Sequence, residues 1–287
     1  MCQFILYSYC TVHHGDIMSQ EIIVRKVNYP INEQIPRLFW NNRPVKTHFV
    51  NALNVLFPEG ERWFVRILSK AAKKVGDPKI RKIAKNFVGQ EMAHSVEHDK
   101  FLSLLKDHYG YDTEVVENAL SWLFKTVEEH LPLEVSTSVI AGIEHFTALI
   151  GNIALEDEQI LDELHPTVKE LLRWHAAEEI EHKAAAFDVH AALNDSYLLR
   201  SAGMVIAALG VYGFITYLIL DLTQQDRKLF TIEALEDAIY LFFGEHQLFP
   251  RTFFEFIKYF IPGFHPNDVD DYHLAEKVFN EMQVKAG

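Results

Sequence analysis

Cysteine is scarce in this chain. Two of the 287 residues are cysteines, and both lie within the first ten positions, at Cys2 and Cys10. This excludes a disulfide scaffold and leaves a thiolate metal site or a cysteine nucleophile only the start of the chain. Clusters of Lys and Arg are also lacking. The 27 basic residues are outnumbered by 40 acidic ones, a net charge of −13, which argues against nucleic acid as a partner because phosphate binding requires clustered cations.

Strand patterns are nearly absent as well. The chain shows almost no alternation of apolar and polar residues, no Gly-rich phosphate loop, and no G-x-S-x-G motif of a serine hydrolase. From Pro58 to Asn194 the apolar residues instead recur at helical spacing. The first of these helices is expected to begin at Pro58, since proline suits a first helical turn. We predict an all-α fold, with helices over residues 58–74, 79–108, 113–128, 132–156 and 166–193.

A long uncharged run distinguishes the C-terminal third. Residues 201–220 carry no charge, and residues 240–264 include ten Phe or Tyr. About 20 apolar residues suffice to cross a bilayer, but a buried core helix has the same composition. Because the residues after the run are amphipathic and aromatic, we favour contact with a membrane surface over a true span or a buried core helix.

Two motifs stand out among the 15 histidines. Glu91-x-x-His94 lies in the second expected helix, and Glu179-x-x-His182 lies in the last. Residues three positions apart share one face of a helix, so each motif can direct both side chains into the same space. A lone Glu-x-x-His is a weak signal in a helical chain, but a second copy makes coincidence a poor explanation.

A single glutamate precedes each motif by one helix: Glu61 before the first and Glu144 before the second. The intervals between the four glutamates are 30, 53 and 35 residues, which suits two helical hairpins joined by a long crossover. This order is the one by which four-helix bundles hold two metal ions. Carboxylate and imidazole ligands without thiolate favour iron, with manganese or zinc as alternatives. The predicted metal ligands are Glu61, Glu91, His94, Glu144, Glu179 and His182.

Three further residues are candidates for an extra ligand or for a position beside a ligand. His98 and His175 share the helix faces of the two motifs. Asp188 lies in an apolar stretch, where its carboxylate could orient a ligand histidine or pair with Arg66. No residue is assigned a catalytic role from the sequence.

Several segments resemble the bacterial family described as predicted metal-dependent hydrolases, a ferritin-like group. The resemblance covers roughly residues 20–280 and implies a metal-dependent enzyme in which the six predicted ligands match the positions of a ferritin-like four-helix bundle. The segments are FPEGERWFVR (57–66), FVGQEMAHSVEH (87–98), GIEHFTA (142–148), WHAAEEIEHKAAAFDV (174–189) and PGFHP (262–266).

Three regions are therefore expected. Residues 1–19 would be a disordered or wrongly assigned N-terminal extension, since they fall outside the family pattern. Residues 20–196 would form the ferritin-like metal-binding bundle, and residues 197–287 an apolar, aromatic helical region packed on the bundle or on a membrane. The first 17 residues contain no Lys or Arg and so lack a secretory signal, which predicts a cytoplasmic protein associated with the inner face of the membrane.

Two chemistries fit such a centre. The favoured hypothesis is di-iron, O₂-dependent oxidation of an apolar, lipid-like substrate, suggested by the ligand order and by the apolar C-terminal third. The alternative is metal-dependent hydrolysis, as the family resemblance suggests. The substrate, the electron donor and the oligomeric state are left open by the sequence.

Overall fold

The computed structural model describes residues 22–157, 159–244 and 247–286, and the expected extension over residues 1–19 lies outside the described residues. Within the described ranges no strand occurs beyond one isolated bridge between Trp40 and Leu164. The all-α prediction is confirmed, whereas the ferritin-like bundle stays a prediction. The helices are α1 (Pro44–Lys74), α2 (Pro78–Ser103), α3 (Glu114–His130), α4 (Leu133–Glu156), α5 (Gln159–Asp162), α6 (Pro166–His182), α7 (Ala185–Leu193), α8 (Tyr197–Gln225), α9 (Ile232–Phe243), α10 (Leu248–Lys258) and α11 (Tyr272–Ala286).

The start of α1 differs from the prediction. The helix begins at Pro44, and Pro58 lies inside it, where the missing N–H leaves the carbonyl of Asn54 without its helical partner. The helix continues through this proline because residues 45–55 are buried against neighbouring helices, and burial outweighs one lost hydrogen bond. As a result, Asn54 and Glu61 lie on one helix, seven residues apart.

The predicted helix over residues 166–193 is interrupted. A turn at Lys183 and Ala184 separates α6 from α7, so that His182 is the last residue of α6. From this turn the buried ammonium group of Lys183 donates to the carboxylate of Asp271 and to the carbonyl of Val269. The break thus allows a buried cation to be paired and hydrogen-bonded.

Four helices, α1, α2, α4 and α6, form the centre of the molecule, where α1 packs against α2 and α4 against α6. Most of their apolar side chains belong to two core clusters. Phe101, Leu105 and Leu171 belong to one, whereas Trp63 and Phe87 belong to the other. On both α1 and α2, the stretch between the two clusters carries buried polar residues in place of apolar ones. These polar residues form the site described below.

The C-terminal helices fold back on this centre. α8 packs against α4 and α1, α9 against α1, α10 against α4, and α11 against α6. Two helices, α4 and α8, are long and apolar enough to cross a membrane, but they differ in environment: 67% of the most apolar window of α4 is buried and only 33% of that of α8. α4 is therefore a core helix, whereas α8 covers the core with one side and leaves much of its apolar surface exposed.

The contact between α8 and α4 depends on Gly203. A Cβ atom added there would lie 2.5–2.6 Å from atoms of Ser138, closer than packed atoms approach. We expect Gly203→Ala to cost about 1–3 kcal/mol of stability through overpacking. Gly213→Ala in the same helix meets nothing within 4 Å and should stabilise by about 0.5–1 kcal/mol through helix propensity. Urea unfolding of the two variants measures this difference, and equal midpoints would contradict the close approach.

Candidate metal centre

Eight buried ionisable side chains from four helices meet between the two apolar core clusters. None of them is more than 5% exposed. The structure thus brings together all six predicted ligands and both additional histidines. We call these residues the Glu/His cluster: Glu61 of α1; Glu91, His94 and His98 of α2; Glu144 of α4; and His175, Glu179 and His182 of α6.

The first part of the cluster surrounds the imidazole of His182. Its Nδ1 atom lies 2.9 Å from Glu91 Oε1, 3.4 Å from Glu144 Oε2 and 4.0 Å from Glu179 Oε1. His94 Nδ1 lies on the other side of Glu91, 3.8 Å from its Oε1 atom. Four residues of this part can each offer one ligand atom, and these four atoms lie within 4.8 Å of one another: Glu91, His94, Glu179 and His182.

The second part of the cluster surrounds the carboxylate of Glu61. Its Oε1 atom lies 3.6 Å from His98 Nε2 and 3.8 Å from His175 Nε2. Two residues connect this part to the first: Glu179 Oε1 lies 2.8 Å from His175 Nε2 and 3.7 Å from His94 Nδ1. Two groups of ligand-type atoms therefore adjoin each other and share His94.

Three imidazoles of the cluster are held from outside by hydrogen bonds. The partner oxygens accept, so the bonded ring nitrogens carry the protons. The opposite nitrogens of the neutral His94 and His98 rings present lone pairs to the cluster. Burial lowers the pKa of His182, but Glu144 and Glu179 raise it more, so a cation would displace a proton from the inward nitrogen of this ring. The amide groups of two partners support this assignment. Asn54 Nδ2 donates to the Val50 carbonyl, which leaves Asn54 Oδ1 as the acceptor. Gln90 Nε2 donates to the Ile23 carbonyl, which leaves Gln90 Oε1 as the acceptor. The bonds are His94 Nε2 to Glu178 Oε2 (2.9 Å), His98 Nδ1 to Asn54 Oδ1 (2.8 Å) and His182 Nε2 to Gln90 Oε1 (2.6 Å).

The atoms that face the interior of the cluster make no hydrogen bond of acceptable geometry with the described residues, although His182 Nδ1 lies 2.9 Å from Glu91 Oε1 and His175 Nε2 lies 2.8 Å from Glu179 Oε1. Leaving a buried polar atom without a partner costs about 1–3 kcal/mol, and such atoms are rare in folded proteins. Here they are concentrated at one place and consist of oxygen and imidazole nitrogen, the donor types that bind divalent cations. They are both carboxylate oxygens of Glu61, Glu91 Oε1, Glu144 Oε2, and the inward nitrogens of His94, His98, His175 and His182.

Burial and mutual repulsion set the charge state of the cluster. Burial raises the pKa of Glu61, Glu91 and Glu144 well above the usual range of a carboxyl group, and the charge on Glu179 raises it further. Burial alone would also raise the pKa of Glu179, but the imidazole of His175 lowers it to about 2. Three of the four glutamates therefore lack enough neighbouring positive charge to stabilise their ionised form, and a bound cation would supply it.

Imidazole protonation is disfavoured at two positions. Burial, together with the neighbouring histidines, lowers the pKa of His94 and His98 well below the usual value. Both rings are consequently neutral at pH 7, the form in which histidine binds a metal. Aromatic rings shield the imidazoles from water: the ring of Phe57 lies 4.9 Å from that of His98, and the ring of Trp174 lies 4.9 Å from that of His94.

Asp188 lies outside the cluster. Its Oδ1 atom lies 2.9 Å from Nε2 of His265, near the surface, and its side chain is 27% exposed. The suggested partner Arg66 instead pairs with Glu128 at 2.9 Å. Asp188 therefore neither contacts the predicted ligands nor orients one of their imidazoles, because the turn after His182 places α7 on a different path from α6.

Several residues that support the cluster are missed by the sequence patterns. Asn54 lies seven residues before Glu61, on the same face of α1. This spacing has no meaning if the helix is expected to begin at Pro58, because Asn54 would then lie outside it. Arg25 has no periodic signal at all, since residues 22–31 form no regular element. Its guanidinium group binds Glu178 at 3.1 Å and Glu181 at 2.8 Å, and so balances the carboxylates that support the cluster from outside.

An apolar cavity of about 280 Å³ adjoins the cluster. Glu61, Glu144 and Glu179 contribute to its wall, together with Glu91 and His175. The remaining wall consists almost entirely of apolar side chains, most of them from α1, α3, α4 and α8, with others from α5, α6, α9 and α10. Its lining extends on α4 from Val135 to Ala154, about 28 Å at 1.5 Å per residue, so the cavity is a long groove with the carboxylates along one part.

Residues 23–270 match the family model described as "Predicted metal-dependent hydrolase". The chain belongs to this family. Comparison with curated proteins and with solved structures gave no match. Membership in the family agrees with the buried Glu/His cluster, because both indicate divalent metal ions. It favours hydrolysis over the oxidative chemistry expected from the ligand order.

The raised carboxyl pKa values predict how metal binding depends on pH. In the metal-free protein, Glu61, Glu91 and Glu144 retain protons at pH values where an ordinary carboxyl has lost its proton, and a cation must displace them. Affinity for Mn²⁺ or Zn²⁺ should therefore rise with pH by about tenfold per unit for each proton displaced. Titration calorimetry in two buffers of different ionisation enthalpy should show net proton release. Identical heats in both buffers would contradict the assigned charge state.

Proposed function

We propose that the Glu/His cluster holds two divalent metal ions and that the protein is a hydrolase acting on a substrate with a long apolar chain. The observation that carries the proposal is the set of inward-facing carboxylate oxygens and imidazole nitrogens that lack partners in the described chain. Family membership supports the reaction class. The apolar cavity beside the cluster supports the substrate class.

The ligands divide between the two parts of the cluster. Glu91, Glu144 and His182 would hold one ion, and Glu61, His98 and His175 the other. Glu179 and His94 lie between these sets and are placed to contact either ion or both. Four glutamates carry four negative charges, which two divalent ions balance.

The surrounding residues fix these ligands. Thr147 donates to Oε2 of Glu179, which leaves its Oε1 atom facing the imidazoles. Asn54, Gln90 and Glu178 each hold one imidazole with its other nitrogen directed inward. Such outer hydrogen bonds orient metal ligands and raise their basicity, and removing one typically costs 10–100-fold in metal affinity or activity.

Bound divalent ions would supply Lewis acidity, which lowers the pKa of a coordinated water and polarises a carbonyl or phosphoryl oxygen. The apolar wall of the cavity would hold the chain of the substrate and exclude bulk water from the carboxylates. The sequence has no G-x-S-x-G motif of a serine nucleophile, so we expect water to be the nucleophile in hydrolysis.

Oxidation by O₂ is the second candidate. The observation that favours it is the order Glu, Glu-x-x-His, Glu, Glu-x-x-His along four helices that meet at one site, since this ligand set is also used by di-iron carboxylate proteins. Iron or manganese would supply redox chemistry at the same residues. The apolar cavity suits either reaction.

A chain-length series tests the hydrolase proposal. p-Nitrophenyl esters with acyl chains from two to ten carbons should be hydrolysed by the metal-loaded protein, and each methylene buried in the cavity contributes about 0.8 kcal/mol, or about fourfold in kcat/KM. Gly210 lines the cavity, and a side chain there meets nothing within 4 Å. Gly210→Leu should remove the preference for long chains and leave the two-carbon ester unaffected.

Gly213→Leu is the matched control, because Gly213 lies on the same helix, has the same open surroundings and does not line the cavity. Glu91→Gln should lose both metal and hydrolysis. Elemental analysis and exposure of the reduced protein to O₂ separate the two candidates. Hydrolysis with Zn²⁺ or Mn²⁺ that is indifferent to O₂ supports the proposal. A hydrolytically inert protein whose iron-loaded form consumes O₂ and changes its absorption spectrum would replace hydrolysis by oxidation.

A further inference from the structure

α8 and α10 expose apolar side chains that no described part of the chain covers. The exposed fractions range from 43% to 73%, although these residue types are usually buried. We call the surface that they form, together with Tyr240 and Phe243 of α9, the apolar face. It is defined on α8 by Val205, Ile206 and Leu209 and on α10 by Phe253, Phe254 and Ile257.

The three helices that carry the apolar face are connected to one another. The hydroxyl group of Tyr197 at the start of α8 donates to the carbonyl of Phe260 at 2.7 Å, which ties α8 to the chain just after α10. From α9 to α10 the rings follow one another: Phe243 lies 5.5 Å from Phe249, which lies 5.9 Å from Phe253. Patches of this kind mark interaction sites with proteins or membranes.

The cavity beside the Glu/His cluster reaches this face. Ile206 of α8 and Tyr240 of α9 both line the cavity, and they are 52% and 42% exposed. The apolar wall of the cavity therefore extends from the carboxylates of the cluster to the protein surface. A protein partner or a second copy seated over these residues would close the opening, whereas a lipid leaflet would place acyl chains directly at it.

The composition of α8 also fits hydrocarbon. Residues 201–220 contain no charge, and only 33% of the most apolar window of the helix is buried. The helix nevertheless packs along α4 and α1, and α9 and α10 return to the same helices, so the face lies on the side of the folded protein. This arrangement suits a surface that enters one leaflet rather than a helix that crosses the bilayer.

We propose that the apolar face binds the surface of a membrane and that the substrate enters the cavity from the lipid. The entry route rests on the proposed function, since it requires a substrate that reaches the metal ligands. Binding of the face to lipid does not. The partner is a neutral or weakly charged bilayer, because the chain has a net charge of −13 and the run of α8 is uncharged. The two cations of α10, Arg251 and Lys258, are already paired with Glu156 and Glu255.

Flotation of the full chain with phosphatidylcholine vesicles tests the proposal. The wild-type protein should float with the vesicles, and Leu209→Glu and Phe254→Glu should each lower the partition coefficient by at least about tenfold, because a carboxylate is costly to transfer into hydrocarbon. Val115→Glu on α3 is the matched control, since Val115 is 68% exposed and lies outside the apolar face. Circular dichroism confirms that each variant is folded.

Absence of flotation would overturn the proposal, as would equal flotation of all variants or binding that requires anionic lipid and disappears in salt. A lipid-free dimer that the same two substitutions dissociate would identify a second copy as the occupant. Hydrolysis of the soluble two-carbon ester is measured in parallel. If flotation fails and this hydrolysis persists, only the membrane inference is wrong; if flotation persists and hydrolysis fails, the proposed function is wrong.

Discussion

Four glutamate carboxylates lie within one buried space, and the free energy of burying their charge is the constraint around which the fold is arranged. An isolated ionised carboxylate is too costly to bury, so such groups either retain protons or acquire a cation. In the metal-free chain three of them take the first course, as their raised pKa values show. The nearby basic side chain, Arg25, is engaged by the outer carboxylates of Glu178 and Glu181.

The remainder of the structure positions these groups. Apolar clusters on both sides of the site fix the positions of α1 and α2 along their axes, and one of these clusters also packs against α6. Residues seven apart on one helix therefore meet residues from another. Asn54, Gln90 and Glu178 then select the protonated nitrogen of three imidazoles and direct the other inward. The neutral imidazoles of His94 and His98 and the carboxylate oxygens of Glu61 without hydrogen bonds are more easily explained by cation binding than by stability, since burying a polar atom without a hydrogen bond costs free energy.

Much of this site was predictable from the sequence, because ligand spacing on a helix is a local property. Three and four residues separate the members of each motif, and the helical repeat alone places them on one face. Asn54 is not predictable in this way, because a proline favours a helix start at Pro58, whereas tertiary burial carries α1 through the proline. Asp188 lies away from the site for a related reason: the turn after His182 accompanies the burial and pairing of Lys183, which no local pattern predicts.

Other features depend on contacts between distant parts of the chain. Arg25 lies in an irregular segment more than 150 residues from its partner carboxylates, so no spacing rule connects them. The two apolar helices α4 and α8 look alike in composition, and only the packing distinguishes the core helix from the exposed one. The cavity likewise lies between helices that are distant in the sequence, including α1, α4 and α8.

Anomalous X-ray diffraction at the absorption edge of the bound metal tests the central claim most directly, because it locates the ions independently of any reaction. Crystals of the metal-loaded protein should show two peaks inside the Glu/His cluster, one beside Glu91, Glu144 and His182 and the other beside Glu61, His98 and His175. One peak or none within the cluster, under conditions where the metal saturates the protein, would contradict a two-ion centre.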